Sequence, residues 1–276
     1  MLAMRSLLWA VSFLTIIPTG RSSCGPPPSM GWIAFWFPWV GGIVGVGGGC
    51  VLYGAHNLTG DTTVAALLTV VFIAVMTRAL HLDGLADSFD GFLGGADREK
   101  RLAVMRDSHI GTFGVVALLL TLFLEVELLS AIATMQISGQ KPELRLATTL
   151  AFTAPMIMVG RWAMVYGMAM GSYAREGQGT GKFFCDFTRP LHFLWASLFP
   201  LAVLFCLFGL AGIMLVILAI LCASAMTAIA NRMIGGVTGD TLGATGELAQ
   251  VVYLLAMAIL LFCCAGFLSS PFGRLW

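Results

Sequence analysis

Long apolar stretches separated by short polar segments dominate the hydrophobic pattern of this chain. A helix of roughly 20 mainly apolar residues crosses a bilayer core of about 30 Å. The apolar segment from Met1 to Pro18 is short for a span, and we predict an interfacial or re-entrant helix there. The pattern predicts an all-α, polytopic integral membrane helix bundle, built as one domain over residues 1–276, with about seven transmembrane helices near 31–54, 62–82, 111–134, 146–170, 192–209, 211–230 and 248–268.

Glycines recur within the first predicted span. Gly41, Gly45 and Gly49 repeat every four residues and therefore lie on one face of a helix. Small residues at this spacing let a second helix approach closely inside a membrane. We therefore expect another helix to pack directly on this face.

Charged residues between the spans indicate an orientation. With the N-terminus inside, ten Lys and Arg residues fall in the inner segments and three in the outer ones. Cytoplasmic loops of membrane proteins carry such an excess of positive charge. We therefore predict a multi-pass protein of the cell inner membrane with three polar, glycine-containing segments on its cytoplasmic face: 83–110, 171–191 and 231–247.

Composition supports the membrane class and narrows the function. The chain of 276 residues is 58% hydrophobic and only 11% charged, against about 25% charged in an average soluble domain. Its net charge of +1 gives no basic surface, so no nucleic-acid partner is predicted. The seven cysteines contain no C-x-x-C pair, which argues against a thiolate metal site.

An acidic run opens the first polar segment. Asp83, Asp87 and Asp90 are spaced i, i+4, i+7, so on a helix they fall within an arc of roughly 60°. Carboxylate oxygens are the ligands that Mg²⁺ and Mn²⁺ prefer. The three residues are therefore predicted to bind a divalent cation, and a solvated acidic helix end is the alternative.

The other polar segments add candidate groups of both signs. Asp240 and Glu247 are spaced i, i+7 and share a face if their segment is helical, which makes them a second carboxylate pair for a metal or a proton. Arg161 lies in the middle of a span, where an ionised side chain is energetically costly and therefore faces the protein interior. We expect it to reach a diphosphate bound at the membrane face from the membrane side. Glu125 and Glu127 indicate either a proton path or a shifted helix, and the sequence leaves both open.

Metal-binding carboxylates, arginines and glycine-rich loops at one membrane face favour phosphoryl-group transfer. A cation neutralises charge on phosphate oxygens, arginines stabilise the non-bridging oxygens, and a carboxylate takes the proton of the attacking hydroxyl. The residues themselves therefore predict a metal-dependent transferase that acts on a phosphate group.

Runs along nearly the whole chain resemble the cobalamin synthase family, also called adenosylcobinamide-GDP ribazoletransferases. The combination and its order are specific, although each run alone is not. Two positions differ from the family pattern: His109 stands where an Arg is common, and Gln178 interrupts a glycine-containing run. The resemblance rests on Phe13–Pro18, His81–Ser88, Met105–Gly114, Arg161–Met164, Ala174–Gly177, Gly235–Asp240, Gly243–Ala244 and Glu247.

The resemblance implies a Mg²⁺-dependent membrane enzyme of cobalamin nucleotide-loop assembly. Such an enzyme joins adenosylcobinamide-GDP to α-ribazole or its 5′-phosphate and releases GMP. The resemblance does not decide whether the enzyme binds one metal ion or two, or whether the chain forms a homo-oligomer. The implied residues are Asp83, Asp87 and Asp107 for catalysis; Arg106, Ser108, His109, Arg161, Arg175 and Glu176 for substrate; and Asp83, Asp87, Asp90, Asp240 and Glu247 for metal.

Two other functions compete at this stage. Enzymes that transfer a phosphatidyl group from a CDP-linked lipid carry Asp-Gly-x-x-Ala-Arg followed by two further Asp, whereas here Asp83-Gly84-Leu85-Ala86 is followed by Asp87 and not by Arg. An ion-coupled transporter would place its acids near the middle of the membrane. The largest group of acidic residues here lies at one end of a span, which argues against a transporter. Glu125 and Glu127 still leave a transporter as an alternative.

Overall fold

Helices make up most of the computed structural model, which describes residues 2–19, 29–137, 141–176 and 179–269. Arg21 and Arg274, which entered the charge count, lie outside these residues, as do Gly177 and Gln178. Twelve helices are present within the described part: α1 (Leu2–Leu14), α2 (Met30–Phe35), α3 (Phe37–Thr59), α4 (Thr62–Met76), α5 (Leu80–Gly94), α6 (Arg98–Val104), α7 (Thr112–Ile137), α8 (Pro142–Met170), α9 (Thr180–Phe187), α10 (Pro190–Phe208), α11 (Leu210–Ile234) and α12 (Gly239–Ser269).

The all-α, multi-pass class is confirmed, whereas the count of seven spans is not. Helix α8 covers the fourth predicted span and contains Arg161 and Pro155. It is not among the helices that are apolar enough to be counted as membrane spans. Helix α1 has 13 residues and is too short to span a bilayer. Five segments of the described chain are long and apolar enough to cross a membrane: Met30–Thr59, Thr112–Thr134, Pro190–Phe208, Leu210–Ile234 and Gly239–Cys263.

Helix α8 packs directly on the glycine face of α3. A methyl group built on Gly41 would lie 2.7 Å from the carbonyl oxygen of Ile157, and one built on Gly45 would lie 2.7 Å from the Cα of Ala154. Gly49 approaches Thr153 in the same way. The expected close helix packing is therefore confirmed, with α8 as the partner of α3.

The second predicted span, 62–82, is broken near its end. Arg78 and Ala79 adopt left-handed φ values of 55° and 50°, and α4 and α5 meet at 90°. Non-glycine residues take this conformation rarely because Cβ crowds the backbone. The Arg78 guanidinium donates to the carbonyl of Phe13 at the end of α1, over 3.0 Å. Helix α5 therefore turns away from the direction of α4.

Helix α5 lies against the first turns of α12. A methyl group on Gly84 would lie 2.8 Å from the carbonyl oxygen of Asp240 and 2.9 Å from its Cα. One on Gly243 would lie 3.2 Å from the Cα of His81. The two backbones touch because neither glycine carries a side chain, and this contact brings the acidic run beside Asp240.

A methyl group at this contact should destabilise the protein. Gly84→Ala forces α5 away from the α12 backbone, and overpacking of this kind costs about 1–3 kcal/mol. Gly94, on the same helix, has no atom within 4 Å of a built methyl group. Gly94→Ala should therefore leave the midpoint of thermal unfolding in detergent unchanged or slightly raised, since alanine is the better helix former by at most about 1 kcal/mol. Equal midpoints for the two variants would contradict the close contact.

Candidate active site

Carboxylates from two helices meet where α5 touches α12. Asp83 lies in the first turn of α5 and is exposed, whereas Asp87 lies one turn later and is half-buried. Asp240 lies in the first turn of α12. The positive end of a helix dipole favours a carboxylate, which suits both Asp83 and Asp240. We call Asp83, Asp87 and Asp240 the acidic cluster.

The electrostatics of Asp87 show that these acids interact. Burial, and after it the charges of Asp240 and Asp83, raise the pKa of the Asp87 carboxyl to about 7. Arg175 acts in the opposite direction. Carboxylates within reach of one another disfavour joint ionisation and favour a cation among them. A cation at this position would therefore relieve a repulsion that the fold itself creates.

Arg175 lies within this cluster. Its guanidinium donates to a carboxylate oxygen of Asp240 over 2.6 Å, and the same nitrogen lies 3.3 Å from the carbonyl of Met105. The hydroxyl of Thr238 donates to the same Asp240 oxygen over 3.3 Å. Arg175 is thus held beside the acids. A phosphate role for it stays a prediction.

Backbone pairing explains how Arg175 reaches Asp240. The N–H of Ala174 donates to the carbonyl of Val237 over 2.9 Å, and the N–H of Val237 donates to the carbonyl of Ser172 over 2.7 Å. Gly236 has a φ of 156° and lies against Ser172, where a side chain would clash. The polar segments 171–191 and 231–247 therefore meet at this junction, beside the acids of α5.

Asp90 serves a different purpose from Asp83 and Asp87. Its two carboxylate oxygens accept the backbone N–H groups of Gly111 over 2.7 Å and of Gly114 over 2.9 Å. These donors belong to the unsatisfied N-terminus of α7, and a carboxylate is a good cap for it. The three acids do share one face of α5, but α7 meets that face at Asp90. This geometry assigns Asp90 to capping α7 instead of to a metal.

Glu247 is also separated from the acidic cluster. It lies about 10 Å further along α12 than Asp240, since a helix rises about 1.5 Å per residue. Its carboxylate accepts the Arg161 guanidinium over 3.3 Å, and both side chains are almost fully buried. Glu125 is buried nearby with one oxygen lacking a hydrogen-bond partner, whereas Glu127 is exposed. Glu247 and Arg161 therefore form an ion pair inside the bundle rather than metal and diphosphate contacts.

The remaining predicted residues lie on the surface. Arg106, Asp107, Ser108 and His109 form an exposed turn between α6 and α7, and Glu176 is exposed beside Arg175. Hydrogen bonds from the His109 backbone N–H and ring hold the pKa of the Asp107 carboxyl below its usual range. The structure places this turn directly after Met105, whose carbonyl accepts Arg175. The roles predicted for these five residues stay predictions.

Two arginines that sequence reasoning did not assign hold the site together. Arg98 donates to the carbonyls of Ile234 and Ala174, each over 2.9 Å, and Arg101 donates to the carbonyl of Met233 over 3.1 Å. Positive side chains at a helix C-terminus satisfy its free carbonyls and complement its dipole. Helix α6 is thereby attached to the end of α11, and no sequence spacing signals this pairing.

A cleft of about 230 Å³ opens beside the acidic cluster. His81 lies in its wall, is 2% exposed, and has no hydrogen-bond partner on either ring nitrogen. A buried polar group without a partner is unfavourable unless something else fills that role. Its position two residues before Asp83 was the only signal in the sequence. The cleft is lined by Phe13, Leu80, His81, Asp83, Met164, Met168, Thr180, Gly181, Phe184, Gly239, Asp240 and Leu242.

The acidic cluster is not a complete metal site by itself. Among the described residues, no three His, Cys, Asp or Glu side chains are close enough together to hold an ion. Mg²⁺ is commonly bound through one or two carboxylates and completed by water and substrate phosphates. The donor set around Asp83 and Asp87 therefore fits a cation that arrives with a phosphate substrate.

Comparison with known proteins gives one consistent result. The sequence model of the cobalamin-5-phosphate synthase family matches residues 6–258. No solved structure matches the chain.

Several curated relatives match along most of their length. An adenosylcobinamide-GDP ribazoletransferase from Azorhizobium caulinodans is 36% identical over 244 residues, which cover 88% of this chain and 90% of the relative. One from Roseiflexus sp. is 35% identical over 254 residues, 91% of this chain and 88% of the relative. One from Pseudomonas aeruginosa is 36% identical over 264 residues, 93% and 99% of the two chains.

Removing the charge of Glu247 should lower stability because Arg161 then lacks its partner. Breaking one half of a buried ion pair costs roughly 3–5 kcal/mol. We expect Glu247→Gln to lower the midpoint of thermal unfolding clearly in metal-free detergent solution. The exposed pair of Lys182 and Asp186, 2.8 Å apart, is the control. Asp186→Asn should change stability by less than about 1 kcal/mol. A Glu247→Gln variant as stable as the wild type would contradict a structural ion pair.

Proposed function

We propose a reaction for this chain on the premise that it belongs to the cobalamin-5-phosphate synthase family. It transfers the cobinamide-phosphate group of adenosylcobinamide-GDP to α-ribazole or α-ribazole 5′-phosphate. The products are adenosylcobalamin or its 5′-phosphate, and GMP. The observation that carries the proposal is the similarity to curated ribazoletransferases over 88–93% of the chain. The acidic cluster with Arg175 beside it supplies groups that this chemistry requires.

We further propose Mg²⁺ as the cofactor, bound at the acidic cluster by one or two of the carboxylates of Asp83, Asp87 and Asp240 and completed by water and substrate phosphate oxygens. Oxygen donors alone, clustered closely enough to raise the pKa of Asp87, match the preference of this ion. When bound, the ion would neutralise negative charge on the oxygens of the diphosphate.

The residues of the acidic cluster and Arg175 have distinct roles in the proposed transfer. Arg175, with its charge directed at the acidic cluster, binds the non-bridging oxygens of the diphosphate. Asp83 or Asp87 accepts the proton of a ribose hydroxyl of the acceptor as its oxygen attacks the phosphorus atom on the cobinamide side. The bond from that phosphorus to the bridging oxygen breaks, and GMP leaves with that oxygen. When α-ribazole 5′-phosphate is the acceptor, its 5′ oxygen already carries a phosphate, so another ribose hydroxyl attacks.

The proposed location follows from the same arrangement. The five apolar helices support a multi-pass membrane protein, and the excess of Lys and Arg in the segments that carry the acidic cluster supports a cytoplasmic active site in the inner membrane. Both substrates are polar, so a site at a membrane surface is accessible to them. We treat the whole chain as one transferase domain.

Release of GMP tests the reaction directly. Purified protein in lipid with adenosylcobinamide-GDP, α-ribazole and Mg²⁺ should produce GMP and a corrinoid nucleotide in equal amounts. Chelation of the metal should abolish the reaction, and added Mg²⁺ should restore it. Turnover of a CDP-linked lipid alcohol, without any GMP release from adenosylcobinamide-GDP, would instead support a phosphatidyltransferase.

The charge of Asp83 should be needed for turnover but not for folding. Asp83→Asn removes an exposed carboxylate from the cleft, so we expect kcat to fall at least about 100-fold, as is usual when a catalytic acid–base group is lost. The midpoint of thermal unfolding should stay near that of the wild type. Asp186→Asn, an exposed acid on α9 paired only with Lys182 in the structure, is the control and should retain activity. Near-normal kcat in Asp83→Asn would remove Asp83 from the site.

A further inference from the structure

Tyr173, to which sequence reasoning gave no role, lies beside Arg175. The two are alternate residues of a short extended segment that pairs with Val237. Side chains at alternate positions of an extended chain project to the same side. Arg175 contacts Asp240 of the acidic cluster, and Ala174 between them is buried. The side chain of Tyr173 therefore lies on the side of this segment that faces the acidic cluster.

The ring of Tyr173 packs against the first turn of α9. A methyl group built on Gly181 would lie 3.1 Å from Cε2 of this ring, and one built on Gly179 would lie 3.4 Å from its hydroxyl oxygen. Gly181 in turn lines the cleft together with Asp240. The two glycines let the ring approach the backbone of α9 closely, so the Tyr173 hydroxyl is held between α9 and Arg175.

The proton of the Tyr173 hydroxyl is free to be donated. Burial raises the pKa of this phenol, so it keeps its proton near neutral pH, although the charge of Arg175 and a hydrogen bond with it act in the opposite direction. Because a guanidinium can only donate, the phenol oxygen is the acceptor in that bond and its own O–H stays available. Asp240 affects the phenol through its charge alone.

Positive charge surrounds this O–H group on two sides. Arg175 lies on one side, and the first turn of α9 lies on the other. Gly179 precedes that turn and has no side chain to cap its N–H groups, which carry partial positive charge at the start of a helix. An anion bound by Arg175 would therefore lie within reach of the Tyr173 hydroxyl. A phosphate oxygen is such an anion, and hydrogen bonds to it are short and strong.

We propose that Tyr173 is a second binding residue for the diphosphate of adenosylcobinamide-GDP, and that its hydroxyl donates to a non-bridging phosphate oxygen next to Arg175. This inference rests on the proposed function and adds a residue that binds one substrate. The phenol keeps its proton throughout, so it orients the diphosphate and takes no part in proton transfer. The alternative is that the ring only supports α9.

Removal of single hydroxyl groups tests this contact. Tyr173→Phe removes the hydrogen-bond donor and keeps the ring against α9. Tyr166→Phe is the matched control, because Tyr166 is also partly buried but its hydroxyl pairs with Ser224 inside the bundle, over 2.8 Å. Both variants and the wild type are assayed for GMP release, first at varied adenosylcobinamide-GDP and then at varied α-ribazole.

We expect Tyr173→Phe to raise KM for adenosylcobinamide-GDP about tenfold, the loss typical of one hydrogen bond to a charged group. KM for α-ribazole should not change, because the hydroxyl contacts only the donor substrate. The midpoint of thermal unfolding should stay near that of the wild type, since the ring remains. Tyr166→Phe should leave both KM values unchanged.

Three results would overturn the inference. Equal rises of KM for the two substrates in Tyr173→Phe would mean that the hydroxyl acts only through the fold. A rise of KM for α-ribazole alone would place the acceptor at this hydroxyl instead. A Tyr173→Phe variant with unchanged kinetics would remove the contact with the diphosphate.

Failure of the proposed function gives a separate signal. In that case the wild type releases no GMP at any concentration of the two substrates. Calorimetric titration of the wild type and Tyr173→Phe with inorganic pyrophosphate and Mg²⁺ then tests the contact alone. Weaker binding to Tyr173→Phe would still support the inference. Equal binding to the two proteins, or binding to neither, would contradict it.

Discussion

The contact between the backbones of α5 and α12 is the constraint on which the candidate site depends. Gly84 and Gly243 leave no side chain between the helices, so Asp83 and Asp87 lie beside Asp240. The same contact places Arg175, through its bond to Asp240, next to the acids of α5. Moving the helices apart by the width of a side chain would separate the carboxylates, and neither helix carries the site alone.

Charged side chains outside the acidic cluster join the helices that surround the contact between α5 and α12. Arg161 and Glu247 join α8 to α12 inside the bundle, and Asp90 joins α5 to the start of α7. Arg98 joins α6 to the end of α11. In a chain with few charged residues, each of these groups satisfies a buried or partly buried polar partner within the protein. Asp83, Asp87, Asp240 and Arg175 are the charged groups at the acidic cluster.

The sequence predicted features whose cause is local. The length of the apolar stretches predicted the helical membrane class. The four-residue glycine repeat predicted the packing face of α3, and the i, i+4, i+7 spacing predicted the acidic face of α5. It did not predict the bend at Arg78 and Ala79, because their φ values depend on contacts with α1 that lie far along the chain. Spacing likewise treated Asp90 and Glu247 as equivalent to Asp83 and Asp240, since only tertiary structure shows that α7 and Arg161 meet them first.

The location of a bound cation tests the central claim most directly. Anomalous scattering from crystals of the protein grown with Mn²⁺ and a nucleoside diphosphate should show a peak between Asp83 and Asp87 of α5 and Asp240 of α12. A composite site built by the contact of two helices requires that position. A peak at Asp90 or Glu247, or none between α5 and α12 at Mn²⁺ concentrations that support GMP release, would contradict it.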